Sequence, residues 1–157
     1  MRKILVTAAV MLCLAGVQTA PAQGFRWGPE VSLGTDTDLG LGVRGEFDFS
    51  GSALTIIASF DYYFPDGSVD YWEINGNLIY NFDIPSAPTV TPYAGGGLNI
   101  GHRSWDGTDD DRSNKTDPGL NLLGGTRFDA GSIMPFVEAK FTIEGIEQFV
   151  ITGGILF

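Results

Sequence analysis

From residue 25 to the carboxyl end the chain repeats one pattern, segments of about ten residues that alternate with a period of two and are separated by turn residues. The segments are 25–34, 39–49, 54–64, 71–82, 90–101, 119–129, 135–143 and 148–157. When each is sorted by parity, every charge falls on one side: Arg26, Glu30, Arg44, Glu46, Asp48, Asp61, Glu73, Arg127, Asp129, Glu138 and Lys140. The other parity carries none. A period of two places alternate side chains on opposite faces of a strand. No helical period is readable in the same region. The pattern predicts an all-β fold of eight antiparallel strands in up-and-down order, with one wholly uncharged face.

The uncharged face explains what solvent it meets. It holds Leu54, Ile56, Ala58 and Phe60 on the third segment and Trp72, Ile74, Gly76 and Leu78 on the fourth, with equivalents on the others. Its aromatic residues gather at strand ends. Phe25, Trp27, Phe47, Phe49, Tyr80, Phe82, Phe128 and Phe157 mark one rim, and Phe60, Tyr62, Phe64, Trp72 and Phe149 the other. Two such girdles around an apolar band are the layout of a transmembrane barrel. Past the first two dozen residues no apolar run is long enough for a spanning helix. A chain that crosses a bilayer without such a helix must close into a barrel, because lipid cannot satisfy an open sheet edge. Parity alone does not say which face points inward, so a soluble lipocalin-like ligand-binding barrel is the rival architecture. The interior of an eight-stranded barrel is only just filled by side chains. The bulky aromatic face does not fit there without a large cavity, and it is expected outside.

Residues 1–22 have the layout of a signal peptide: Arg2 and Lys3, an apolar stretch from Ile4 to Val17, and the small-residue exit Ala20-Pro21-Ala22. Cleavage after Ala22 leaves residues 23–157 as one barrel domain of 157 − 22 = 135 residues. It also discards the single cysteine, Cys13, so disulfides and thiol chemistry are not expected. The remaining charge is 9 − 2 = 7 Lys and Arg against 19 Asp and Glu, or −12. That balance argues against nucleic acid as a partner.

The closing strand alternates Phe149, Ile151, Gly153, Ile155 and the terminal Phe157 on one face. It resembles the last strand of bacterial outer-membrane barrels, and the whole pattern resembles the small eight-stranded family of the OmpA transmembrane domain and OmpX type. The resemblance implies that those five residues are an assembly signal read by the barrel-assembly machinery and periplasmic chaperones. It also implies the outer membrane of a Gram-negative bacterium, lipid and lipopolysaccharide as surroundings, and both termini in the periplasm. Unlike OmpA, the chain stops at the barrel; unlike OmpX, its outward connections are short. Only one connection, 102–118, reads as long.

Three sites follow. The eleven charged residues form a lumen network whose expected role is to plug the barrel, since buried charge is tolerated only when paired. The alternative is a narrow cation-preferring pore. His102 and Ser104 resemble the catalytic pair of outer-membrane lipid A deacylases, yet no Glu follows at a suitable position, so no catalytic residues and no enzyme activity are expected. Asp106, Asp109, Asp110 and Asp111, crowded with Gly107 and Asn114, suit a hard cation such as calcium or magnesium, without matching an EF-hand spacing. No other cofactor is expected. The functional expectation is an integral outer-membrane protein with a structural, surface-interaction or adhesion role.

Overall fold

The computed structural model describes residues 24–65, 69–105, 114–144 and 147–157, Trp105 by its backbone alone. The signal segment and Asp106, Asp109, Asp110 and Asp111 lie outside the described residues. Eight strands follow one another: β1 (Phe25–Gly34), β2 (Asp38–Asp48), β3 (Leu54–Tyr63), β4 (Val69–Asn81), β5 (Val90–Trp105), β6 (Lys115–Phe128), β7 (Met134–Ile143) and β8 (Gln148–Leu156). Each pairs antiparallel with its chain neighbour, and β8 pairs with β1 to close the barrel. Closure leaves no edge strand for another chain to add to.

The seam between β1 and β8 spans the full height of the wall. Residues Glu30 to Gly34 pair with Gly154 to Val150. Toward the end that holds Gly24 and Phe157, the Trp27 and Phe157 amides exchange hydrogen bonds at 3.3 and 2.9 Å. Between these two stretches sits Pro29, which has no N–H to give.

The uncharged parity faces outward. Leu33, Ile56, Ile74, Leu98, Leu122 and Phe141 are all exposed, Leu98 at 65 %. The charged parity faces the lumen. Lipid is the solvent in which such an exterior is favourable, because the closed wall leaves no open sheet edge for it to satisfy. Rings meet at both rims, Phe47 with Phe49 and Tyr80 with Phe82 at the terminal end, Tyr62 with Phe64 and Phe60 with Trp72 at the far end. Ile56→Arg is expected to cost about 2 to 4 kcal/mol of folding free energy in lipid, the mid-bilayer figure for a barrel surface. A urea titration in vesicles gives the value, and an unchanged midpoint would mean that Ile56 does not face hydrocarbon.

The differences from the sequence reading that bear on the site lie at the ends of β5 and β6. The β5–β6 ladder runs on past Gly101 and Gly119 to the pair Arg103 and Lys115, so residues 102–105 and 115–118 are strand and the far connection is shorter than expected. Strand alternation is visible in a sequence only where one face meets lipid. Beyond the bilayer both faces are polar, and the hairpin continues without that contrast. At the other end β6 stops at Phe128. Asp129 is exposed, and its carboxylate accepts the Gly131 amide at 2.9 Å in the turn that follows. It is therefore a turn residue rather than a member of the lumen network. Its parity matched, but the ladder that gives parity its meaning had ended.

Candidate functional site

Among the described residues, the lumen is where the fold gathers its charged and polar side chains. The ten remaining charged residues of the network all point into it, in tiers. At the terminal end Arg26 contacts Asp48 at 2.6 Å and Glu46 at 3.3 Å. Thr55 donates to Asp48 at 2.5 Å, Asn81 donates to Thr55 at 2.9 Å, and Arg127 bonds Asn81. Arg127 also reaches Glu46 at 3.1 Å and covers the Tyr93 ring.

Arg44 occupies the middle, 1 % exposed. Its guanidinium pairs with Glu138, lies 3.5 Å from Glu30, and has Nε 3.2 Å from Glu46. Tyr93 donates to the same Glu138 at 2.9 Å, and Phe136 lies under the guanidinium plane at 4.3 Å. Three carboxylates and one cation share this level.

Above it, Glu73 is fully buried and pairs with Lys140. It also accepts from Tyr63, Tyr71, Asn75 and Asn99, each at 3.1 Å, and from Gln148 at 3.2 Å. A carboxylate has about four lone-pair positions, so this one is saturated by donors. Asp61 is held by Ser32 and Ser59 at 3.2 Å and Asn75 at 3.4 Å. Asn75 also accepts at its carbonyl from Asn121 at 2.8 Å, Asn99 at 2.9 Å and Lys140 at 3.2 Å. The far end is closed by Thr37 donating to Gln148 at 2.8 Å and by the tilted rings of Tyr63 and Tyr71, 5.3 Å apart at their centroids, with the Arg103 guanidinium over the Tyr71 ring.

The sequence reading named the charges and missed their neutral partners, Tyr63, Tyr71, Tyr93, Asn75, Asn99, Asn121 and Gln148. The signal was present, because all of them share the charged parity. A second feature was less visible: Ile57, Ile79, Tyr93 and Leu123 form a buried apolar cluster on the same inward face.

His102 and Ser104 lie on β5, with the outward parity. His102 stacks on Trp72 with ring centroids 5.1 Å apart, and its Nδ1 is 2.7 Å from the Thr116 hydroxyl. Its ring is thus engaged by neighbours on β4 and β6. Among the described residues no group of three or more His, Cys, Asp or Glu is arranged to hold a metal ion. On β8, Phe149, Ile151, Gly153 and Ile155 lie on the outward parity, and the Phe157 backbone completes the seam.

The same architecture recurs in solved structures. The N-terminal β-barrel domain of Pseudomonas aeruginosa OprF superposes with a TM-score of 0.67 at 14 % identity, over 84 % of this chain and 96 % of that one. Neisserial surface protein A (NspA) gives 0.66 at 16 % identity, over 84 % and 94 %. The outer membrane enzyme PagL gives 0.51 at 14 % identity, over 83 % and 96 %. At such identities the likeness is one of fold alone. No curated protein sequence matches the chain. Residues 8–144 match the family model of the outer membrane protein beta-barrel domain, and with an apolar outward band and a closed eight-stranded wall the chain belongs to that family.

Proposed function

We propose that the protein is a closed structural barrel of the outer membrane, offering its far rim for surface contacts and passing no solute. Both chain termini then face the periplasm. The observation that carries this reading is the Arg44 tier. A cation bonded to Glu138 and flanked by Glu30 and Glu46 fills the middle of a lumen that eight strands make narrow. The hydrogen-bonded layer of Glu73, Asn75 and Asn99 lies above it, and the Arg26 and Arg127 cluster lies below. An ion entering from either side would have to displace several charge-assisted bonds at once.

The surface part of the reading rests on the β5–β6 hairpin, whose ladder continues at the far end to Arg103 and Lys115, and on the fold shared with a neisserial surface protein. The outward-facing, half-buried His102 and Ser104 pair does not favour catalysis, because the imidazole is stacked on Trp72 and its Nδ1 is engaged by the Thr116 hydroxyl.

Planar-bilayer recording of the purified protein is expected to show a silent membrane. Reproducible channels whose conductance changes in Glu138→Gln would replace this reading with that of a small pore. Release of fatty acid from lipopolysaccharide that disappears in Ser104→Ala would replace it with an enzyme.

A further inference from the structure

The strand β4 contains the sequence Asn75-Gly76, the only Asn-Gly pair in the chain. This dipeptide is chemically unstable in a flexible backbone. Glycine has no side chain to hinder its own amide nitrogen, which attacks the Asn side-chain carbonyl carbon. The new C–N bond closes a five-membered succinimide, and the side-chain nitrogen leaves as ammonia. Water then opens the ring at either carbonyl to give aspartate or isoaspartate. No oxidant or cofactor takes part.

The fold does not need this glycine. A Cβ built at Gly76 meets nothing within 4 Å, and the position has no left-handed backbone. Glycine costs strand stability because it gives up more backbone freedom on folding. The asparagine before it, by contrast, is the most connected amide in the lumen. It is 2 % exposed, donates to Ser59, Asp61 and Glu73, and accepts from Asn99, Asn121 and Lys140.

We propose that Asn75-Gly76 is a self-modification site that acts before assembly, when the chain is unfolded, and is silenced by barrel closure. In the folded wall β4 is held between β3 and β5, with Asn75 opposite Ser59 and Asn99. Ring closure requires the Gly76 nitrogen to swing onto Asn75 Cγ, which an extended residue locked on both sides does not allow. In an unassembled chain nothing prevents it.

The product is incompatible with the lumen. Aspartate at 75 would put a carboxylate oxygen where Nδ2 now lies, 3.1 Å from a Glu73 oxygen and 3.4 Å from an Asp61 oxygen, replacing two hydrogen bonds by two like-charge contacts. Isoaspartate adds a methylene to the main chain, which breaks the alternation of a strand paired on both sides. Chains that wait too long unfolded thereby lose the ability to become barrels.

The test holds the full chain, after signal removal, in concentrated urea at mildly alkaline pH and transfers portions into detergent over time. Folded and unfolded fractions are separated by unboiled gel mobility, and peptide mass and isoaspartate content are read at residue 75 in each. Refolding yield is expected to fall as the amide-to-acid mass gain at 75 accumulates, with modified chains found only in the unfolded fraction. Prefolded barrels held at the same pH should stay unmodified, and Gly76→Ala should keep its yield over the same wait. Modified chains found in the folded fraction would overturn the proposal, whether or not Gly76→Ala folds. Modification of prefolded barrels as fast as of unfolded chains would overturn it too.

Discussion

Arg44→Met is expected to remove about 3 to 5 kcal/mol of stability, the cost of breaking a buried ion pair and leaving its partners uncompensated. The partners here are Glu138 and Glu30, with Glu46 alongside, all buried. Methionine nearly matches the arginine stem in volume, so the loss reports charge more than packing. Urea titration in vesicles, followed by unboiled gel mobility, measures it. Changing the acids as well isolates the cause: in Arg44→Met/Glu30→Gln/Glu138→Gln the lumen no longer holds an unbalanced pair of carboxylates, and much of the loss should return. Were Arg44→Met alone to unfold at the wild-type urea concentration, the central tier would not be a stabilising plug. The neighbouring pair of Lys140 and Glu73 would then have to carry closure alone.

The second large effect concerns closure itself. A Cβ placed on Gly28 would lie 1.7 Å from the Ile155 carbonyl oxygen, 2.8 Å from its carbon and 3.2 Å from the Leu156 Cα. All three are backbone atoms of β8, so no side chain can turn aside to make room. Overpacking a side-chain core costs about 1 to 3 kcal/mol. Here the obstruction sits in the seam, beside Pro29, and relief means separating β1 from β8. Gly28→Ala is expected to abolish the heat-modifiable folded species, while Gly76→Ala, with open space at the same atom, should retain it. Equal folded fractions of the two variants in one refolding experiment would show that the seam yields to a methyl group.

The two variants also show how unevenly a sequence discloses such a fold. Gly28 and Gly76 look alike in the chain, each a glycine in a strand between longer residues. A Cβ on one would strike a strand from the opposite end of the sequence, and a Cβ on the other would meet nothing within 4 Å. Parity puts Gly28 on the inward face and Gly76 on the outward one, but the approach of the Ile155 carbonyl to Gly28 exists only once β8 has returned to β1.

Strand number, strand type and the two faces are local quantities, legible in the chain before it folds. A residue's face depends only on its distance from its neighbours in a strand, so parity separated Ile56 from Glu73 without any knowledge of closure. An uncharged face of this size, flanked by aromatic rims, then left lipid as its natural solvent. The limits of that signal fell where its contrast ends, at Asp129 beyond the last ladder pair and at residues 102–105 and 115–118 beyond the apolar band.

Which charges meet is settled by closure. Arg44 and Glu138 are 94 positions apart, and Lys140 and Glu73 are 67 apart. Their encounter depends on how far each strand slides against the next before β8 returns to β1. That slide is set by the summed register of eight ladders, and a change of two residues in any one keeps every parity while exchanging the partners across the lumen. A linear pattern repeats every two residues and is blind to such a shift. The closed wall is not, because it admits one register in which Gly28 clears Ile155 and the buried acids find their bases.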